Sequence, residues 1–389
     1  MRVAIIHDWL TGMRGGEKCL EVFCELWPEA DLYTLLHLPG SVSPTIERHR
    51  IFTSVVQRLP MARWWYRSYL PLFPTAMERF DLSDYDLVVS SSHCVAKGVR
   101  SRPDQLHLCY CYTPMRYVWD MSHIYFGQGR HWLTRPVIPF FLNYLRMWDA
   151  LSCNRVNRFV SISEHIRRRI YKHYRCGSDV IHPPVSTDLF GEGQRDEGYY
   201  LIVSAFAPYK RIDLAIEAFN RLGLPLKLVG VGPDARRLRK MAADNIEFLG
   251  WQPDEAVAEI YSRCRAFVFP AEEDFGIAPV EAQASGKPVI AYGRGGVIES
   301  VNGVHLTGDP DRAVEQLARG DRTGVFFAEQ SVQSLIEAVR FFEGNVERFD
   351  PAVIRERAQR FNRERFKREF ADYAQGQVER FFGPGGAVG

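Results

Sequence analysis

The chain has 389 residues, 46% apolar and 25% charged, with a formal net charge of +2. That is the balance of a folded protein with room for two cores, and it excludes disordered, collagen-like and strongly polybasic chains. No apolar run reaches the ~18 residues of a bilayer span. The opening Met1-Arg2-Val3-Ala4 turns polar at His7-Asp8, too soon for a signal peptide, so a cytoplasmic protein is expected. Eight cysteines occur without a C-x-x-C pair or zinc spacing, which suits free thiols in a reducing compartment. Charge is uneven along the chain. Residues 1–184 carry 23 Lys+Arg against 16 Asp+Glu, and residues 185–389 carry 26 against 31. The basic first half suits an anionic partner such as a lipid surface or lipid diphosphate. No nucleic-acid-binding module is recognisable, so nucleic acid is not an expected partner.

Residues 2–8 read as a first strand. Gly12, Gly15 and Gly16 follow, and a helical pattern begins at Glu17 with Cys19, Leu20, Val22, Phe23 and Leu26. A glycine-rich turn between strand and helix lets backbone approach phosphate closely, although the three-glycine dinucleotide fingerprint is absent. Residues 59–70 and 130–146 are rich in Trp, Phe, Tyr and Arg, the composition of an interfacial segment. Asp84-x-Asp86 precedes a strand and reads as a solvated turn rather than a metal pair, as does Asp309-x-Asp311. His93 follows that strand, at the edge where ligands bind in an open sheet. Another strand over 107–112 leads into Thr113-Pro114-Met115-Arg116-Tyr117, where Arg116 either meets an acceptor or pairs with Asp120. Arg167-Arg168-Arg169 reads as a solvated helix face. Residues 179–186, with Pro183-Pro184, form a stiff connector.

Beyond the connector the alternation is regular. Strands are expected at 200–206, 226–230, 245–249, 266–270 and 288–292, with helices at 211–222, 234–243 and 254–264 between them. This pattern means βαβ units and a parallel sheet. Lys210 stands where a strand meets a helix, adding positive charge to donors that already favour phosphate. Residues 271–281 carry two carboxylates, Glu273 in the loop and Glu281 about one turn into the next helix. The backbone N–H groups of Phe275, Gly276 and Ile277 lie at that helix start and suit an oxyanion or a sugar hydroxyl. A last helical stretch is expected over 352–382, followed by a frayed tail over 383–389.

Glu273-x7-Glu281 enclosing Phe275-Gly276-Ile277 resembles the signature of retaining, nucleotide-sugar-dependent glycosyltransferases of the GT-B fold, family four. The segment 113–120 is similar to one found in bacterial polysaccharide mannosyltransferases. The resemblance implies an α/β protein of two Rossmann-like domains with parallel sheets facing a central cleft. An acceptor-side domain would span 1–184, with a terminal helix at about 365–382 crossing back, and a nucleotide-sugar-binding domain would span 185–364. It implies a metal-independent hexosyltransferase without a cofactor, moving mannose from GDP-mannose to a lipid-linked glycan or polysaccharide precursor at the inner face of the membrane.

By the same resemblance Glu273 holds the donor sugar, Glu281 the ribose, Lys210 the diphosphate, and Gly15 and Gly16 line it. Arg211, Phe275, Gly276 and Ile277 complete the donor site. His93 lies near the reacting centre, and Tyr112 and Arg116 belong to the acceptor side. Two departures stand out. Tyr112 occupies the place of a histidine, and Ala205 that of a phosphate-binding arginine, for which Arg211 or Arg294 would substitute. A UDP-sugar-dependent transferase, an epimerase of the same fold and an inactive sugar-nucleotide-binding protein remain open beside the main reading.

Overall fold

The computed structural model describes residues 1–120, 137–191, 195–306 and 310–383. Part of the aromatic stretch at 130–146, Asp309 and most of the expected tail fall outside them. The chain divides into two units, 1–184 with 366–389, and 185–365.

Short, largely apolar runs become parallel strands in both units, and the central ones are buried because helices covering each face remove the need for polar alternation. In the first unit these are β1 (Val3–His7), β2 (Asp31–Thr34), β3 (Ile51–Thr53), β4 (Leu87–Ser92), β5 (Leu106–Cys111), β6 (Arg158–Ser161) and β7 (Ser178–Val180). Their order is β3-β2-β1-β4-β5-β6-β7. In the second they are β8 (Tyr200–Val203), β9 (Leu226–Val229), β10 (Ile246–Gly250), β11 (Ala266–Phe269), β12 (Val289–Tyr292), β13 (Gly303–His305) and β14 (Gly324–Phe327), ordered β10-β9-β8-β11-β12-β14-β13. In each sheet the strand order therefore switches near its middle, between β1 and β4 and between β8 and β11. Such a switch opens a crevice at the strands' carboxyl ends.

Each unit has its own core. In the second, Tyr200, Phe219, Leu228, Val268 and Phe342 form its centre. In the first, Trp9, Phe73, Met77 and Val95 cluster on one side of the sheet. On its other side Phe23 meets Phe366 and Phe370 of the terminal helix Arg363–Phe382, with ring centroids 5.8 and 4.6 Å away.

Two expected elements differ. The stretch 352–382 is not one helix but Pro351–Gln359 and Arg363–Phe382. Phe361 turns inward against Phe275, and Asn362 accepts from the Arg365 N–H at 2.7 Å, so a new helix start interrupts the periodicity. The strand expected over 200–206 ends at Val203, because residues 204–211 leave the sheet to build the site described next.

Candidate active site

At the crevice of the second unit, the loop after β8 carries Lys210 and the loop after β11 carries Glu273. The two side chains form a hydrogen-bonded ion pair, half-buried at the carboxyl edge of adjacent strands. The loop bearing Glu273 is fixed by the turn at 293–296. Glu273 bridges Gly295, and the Gly296 N–H donates to the Glu273 carbonyl at 2.7 Å. A Cβ on Gly295 would strike that carbonyl, and one on Gly296 would strike Asp274 and Phe275 backbone. The paired glycines are thus required by a close approach of two chains.

Arg211 adopts a left-handed conformation at φ 53° and donates to Asp213 at 3.4 Å and Gln330 at 3.1 Å. Gln330 donates in turn to the Pro270 carbonyl at 2.8 Å, tying both loops together. Arg294 is exposed, its guanidinium 5.9 Å from the Tyr292 ring centroid. Ala205 is exposed as well.

The helix Ile277–Ala284 starts after Gly276, whose φ of +89° aims the chain into its first turn. The Phe275 side chain is buried, so this residue would serve a ligand through its backbone. Glu281, half-buried, accepts from the Tyr261 hydroxyl at 3.4 Å. Burial, with the nearby Glu281 charge, pushes the Tyr261 phenol well above its usual range, so it stays a neutral donor. Trp251, just after the strand Ile246–Gly250, is exposed.

At the crevice of the first unit the structure reveals a residue that the sequence reading passed over as the end of an apolar run. Asp8, fully buried just after β1, accepts the backbone N–H groups of His93 at 2.7 Å, Cys94 at 3.0 Å, Val95 at 2.6 Å and Ala96 at 2.8 Å. Its carboxylate also meets His93 Nδ1 at 3.0 Å. Burial raises the cost of this charge, but His93, His7 and the backbone donors outweigh it, and Asp8 is held well below the ordinary carboxylate range. Burial likewise opposes charge on His93, yet Asp8 prevails and its pKa lies above the ordinary 6.5. The His93 ring stands edge-on to Trp9 with centroids 4.4 Å apart, leaving the other ring edge part-exposed.

Gly15 and Gly16 open the helix Gly15–Leu26, and Tyr112 holds that turn. Its hydroxyl donates to the Gly16 carbonyl at 2.9 Å and lies 2.8 Å from Ser91 Oγ, which is 3.0 Å from His7 Nδ1. Burial pushes the Tyr112 phenol far up, so it positions the turn as a neutral group. Arg116 is half-buried one strand-end away. Asp120 is engaged by Arg169, which also donates to Thr113 Oγ1 at 2.8 Å. That corrects the reading of Arg169 as solvated: only Arg167 and Arg168 face water. Asp84 and Asp86 are engaged at the amino terminus, Asp84 by the Arg2 guanidinium at 3.6 Å and Asp86 by the Arg2 backbone N–H at 2.7 Å.

Two parallel sheets, each with a switch in strand order near its middle and chemistry-bearing loops at its carboxyl edge, define the GT-B fold. A solved structure of HepE from Anabaena, in complex with UDP and glucose, superposes with a TM-score of 0.66 at 15% identity, covering 96% of this chain and 99% of that one. Residues 188–360 match the family model for glycosyl transferases group 1. The chain has the GT-B fold and is similar to bacterial polysaccharide mannosyltransferases. An uncharacterized glycosyltransferase of Methanocaldococcus jannaschii is 31% identical over 158 residues, 38% of this chain and 44% of that protein. The O-antigen chain mannosyltransferase RfbU of Salmonella typhimurium is 27% identical over 219 residues, 53% of this chain and 60% of its own length. The chain thus spans less than two thirds of either relative.

Proposed function

We propose that this protein transfers a hexose, with mannose from GDP-mannose preferred, to a hydroxyl of a lipid-linked glycan or polysaccharide precursor with retention at the anomeric carbon. The observation that carries the reading is the Lys210–Glu273 pair at the β8–β11 crevice, inside the stretch that matches the group 1 model. The likeness to RfbU supports mannose as the sugar.

In this reading an incoming diphosphate takes the Lys210 ammonium from Glu273. The carboxylate, released from its partner, accepts hydrogen bonds from the sugar hydroxyls, and Glu281 accepts from the ribose. As the bond between the anomeric carbon and the phosphate oxygen breaks, charge accumulates on that oxygen. Lys210 and the backbone donors at 275–277 stabilise it there. The departing oxygen takes the proton of the acceptor hydroxyl, which attacks the same face, so no enzyme nucleophile is needed. Arg211 supports Lys210 in place of the arginine absent at Ala205; in the first unit Gly15 and Gly16 keep the donor role, and His93 and Arg116 the sugar and acceptor roles, that the resemblance implies, with Tyr112 acting through the Gly16 turn that it holds. The charge is carried by the protein rather than by a metal, and abolition of transfer by EDTA would overturn that part.

A UDP-sugar is the second reading, favoured by the UDP-bound state of the HepE structure. Thermal-shift titration with GDP-mannose, UDP-glucose and the free nucleotides separates the two. NMR of the product from the donor that binds then reads the anomeric configuration, and inversion or donor isomerisation without acceptor refutes the proposal.

A further inference from the structure

The first unit carries a surface that its own core does not explain. Residues 48–77 contain five arginines and no acidic residue. Within them Trp64 is 68% exposed and Trp65 61%, beside exposed Met61 and Leu72. Arg58, Arg63 and Arg67 are exposed too, the last two lying against the Trp64 and Tyr66 rings at 5.9 and 5.3 Å. Aromatic rings interleaved with arginine suit a boundary where one side is apolar and the other anionic.

The helix Ile138–Ser152 extends this character. Phe140 is 78% exposed and Leu151 64%, with Phe141, Tyr144 and Met147 exposed between them. Positions 140, 144, 147 and 151 recur at helical spacing and form one apolar face. The helix has only two charged residues, Arg146 and Asp149. Asp149 is sealed inside, held by Lys97 Nζ at 2.8 Å, Trp119 at 2.7 Å and Tyr174 at 2.9 Å, so it presents no negative charge outward. Leu142 and Trp148 of this helix and Leu59, Tyr69 and Leu70 of the arginine-rich stretch pack on the same core cluster.

We propose that these two elements form a docking surface for an anionic bilayer, the rings entering the headgroup boundary and the arginines engaging lipid phosphates. The commitment to lipid rests on charge. Exposed arginines and apolar rings occur together without an acid among residues 48–77, the combination that an anionic leaflet attracts. The surface stands apart from donor binding, so a chain that binds nucleotide sugar but no vesicle refutes only this inference.

Vesicle flotation of the full chain tests it, comparing phosphatidylcholine alone with phosphatidylcholine containing phosphatidylglycerol. Enrichment on the anionic vesicles that weakens with salt is expected. The variant R63E/R67E should lower partitioning more than about tenfold. W64A/W65A and F140S/L151S should each lower it severalfold, with melting temperatures near wild type, while the second-unit control R236E/K240E leaves it unchanged. Equal flotation on neutral and anionic vesicles would overturn the proposal, as would variants that bind like wild type. So would a concentration-dependent dimer abolished by F140S/L151S without vesicle binding, which would mark the face as an interface between copies.

Discussion

Replacing Glu273 by glutamine leaves the Lys210 ammonium half-buried with a neutral neighbour, while the backbone clamp from Gly296 stays in place. The expected result is a protein that melts within a few degrees of wild type but transfers sugar at least ~100-fold more slowly. Lys210→Ala should behave alike, and full transfer by either variant would remove this pair from the chemistry. The Asp8–His93 pair gives a pH signature. The Asp8 carboxyl is held below its ordinary 3.8, so its contribution to stability is present above that value and lost as pH falls through the folded pKa. His93 is shifted upward, so its contribution is full below 6.5 and lost as pH rises through the folded value. Transfer that relies on the imidazolium should therefore decline on the alkaline side, and Asp8→Asn should move that decline to lower pH. An alkaline limb unmoved by the substitution would exclude the pair. Asp8→Ala strips four backbone donors of their acceptor and should cost on the order of 3–5 kcal/mol in denaturant unfolding. That Lys210, Glu273 and His93 lie at the carboxyl edges of strands was legible, because each follows a short apolar run. Asp8 was not, because its partners lie some 85 positions on and its sequence neighbourhood reads only as the end of a strand.

Strands and helices could be read from the chain because periodicity and glycine placement are local signals. What two loops do to each other is not local. The turn at Gly295-Gly296 was visible as a motif, but its purchase on Glu273 depends on residues more than twenty positions apart. Gly296→Ala tests this contact: the added methyl must displace residues 274–275. A loss of about 1–3 kcal/mol is expected, with weakened donor binding and an unchanged far-ultraviolet spectrum. Donor affinity equal to wild type would show that the clamp does not set the Glu273 position. The break at 360–362 is hidden for a related reason: no proline or glycine marks it, and that Phe361 serves Phe275 while Phe366 and Phe370 serve Phe23 is a matter of distant contacts.

Two separate cores make two melting transitions the natural expectation for the whole chain. A donor held mainly by the second unit should raise that unit's transition, by about 2.7 kcal/mol at a hundredfold excess over Kd. A shift confined to the other transition would place the donor site elsewhere. The division at 184 follows the Pro183-Pro184 connector and was legible, but the return of residues 366–389 to the first unit could be inferred only from family likeness, since a run of phenylalanines does not say which core it joins. That return has a consequence for biosynthesis. Phe366 and Phe370 are translated after every residue of the second unit, yet they cover Phe23 and Tyr110. On the ribosome the first-made half must wait, with aromatic rings bare, while the later half is assembled. Nascent chains arrested before residue 363 should therefore be captured by chaperones through their first unit, and released once the closing segment emerges.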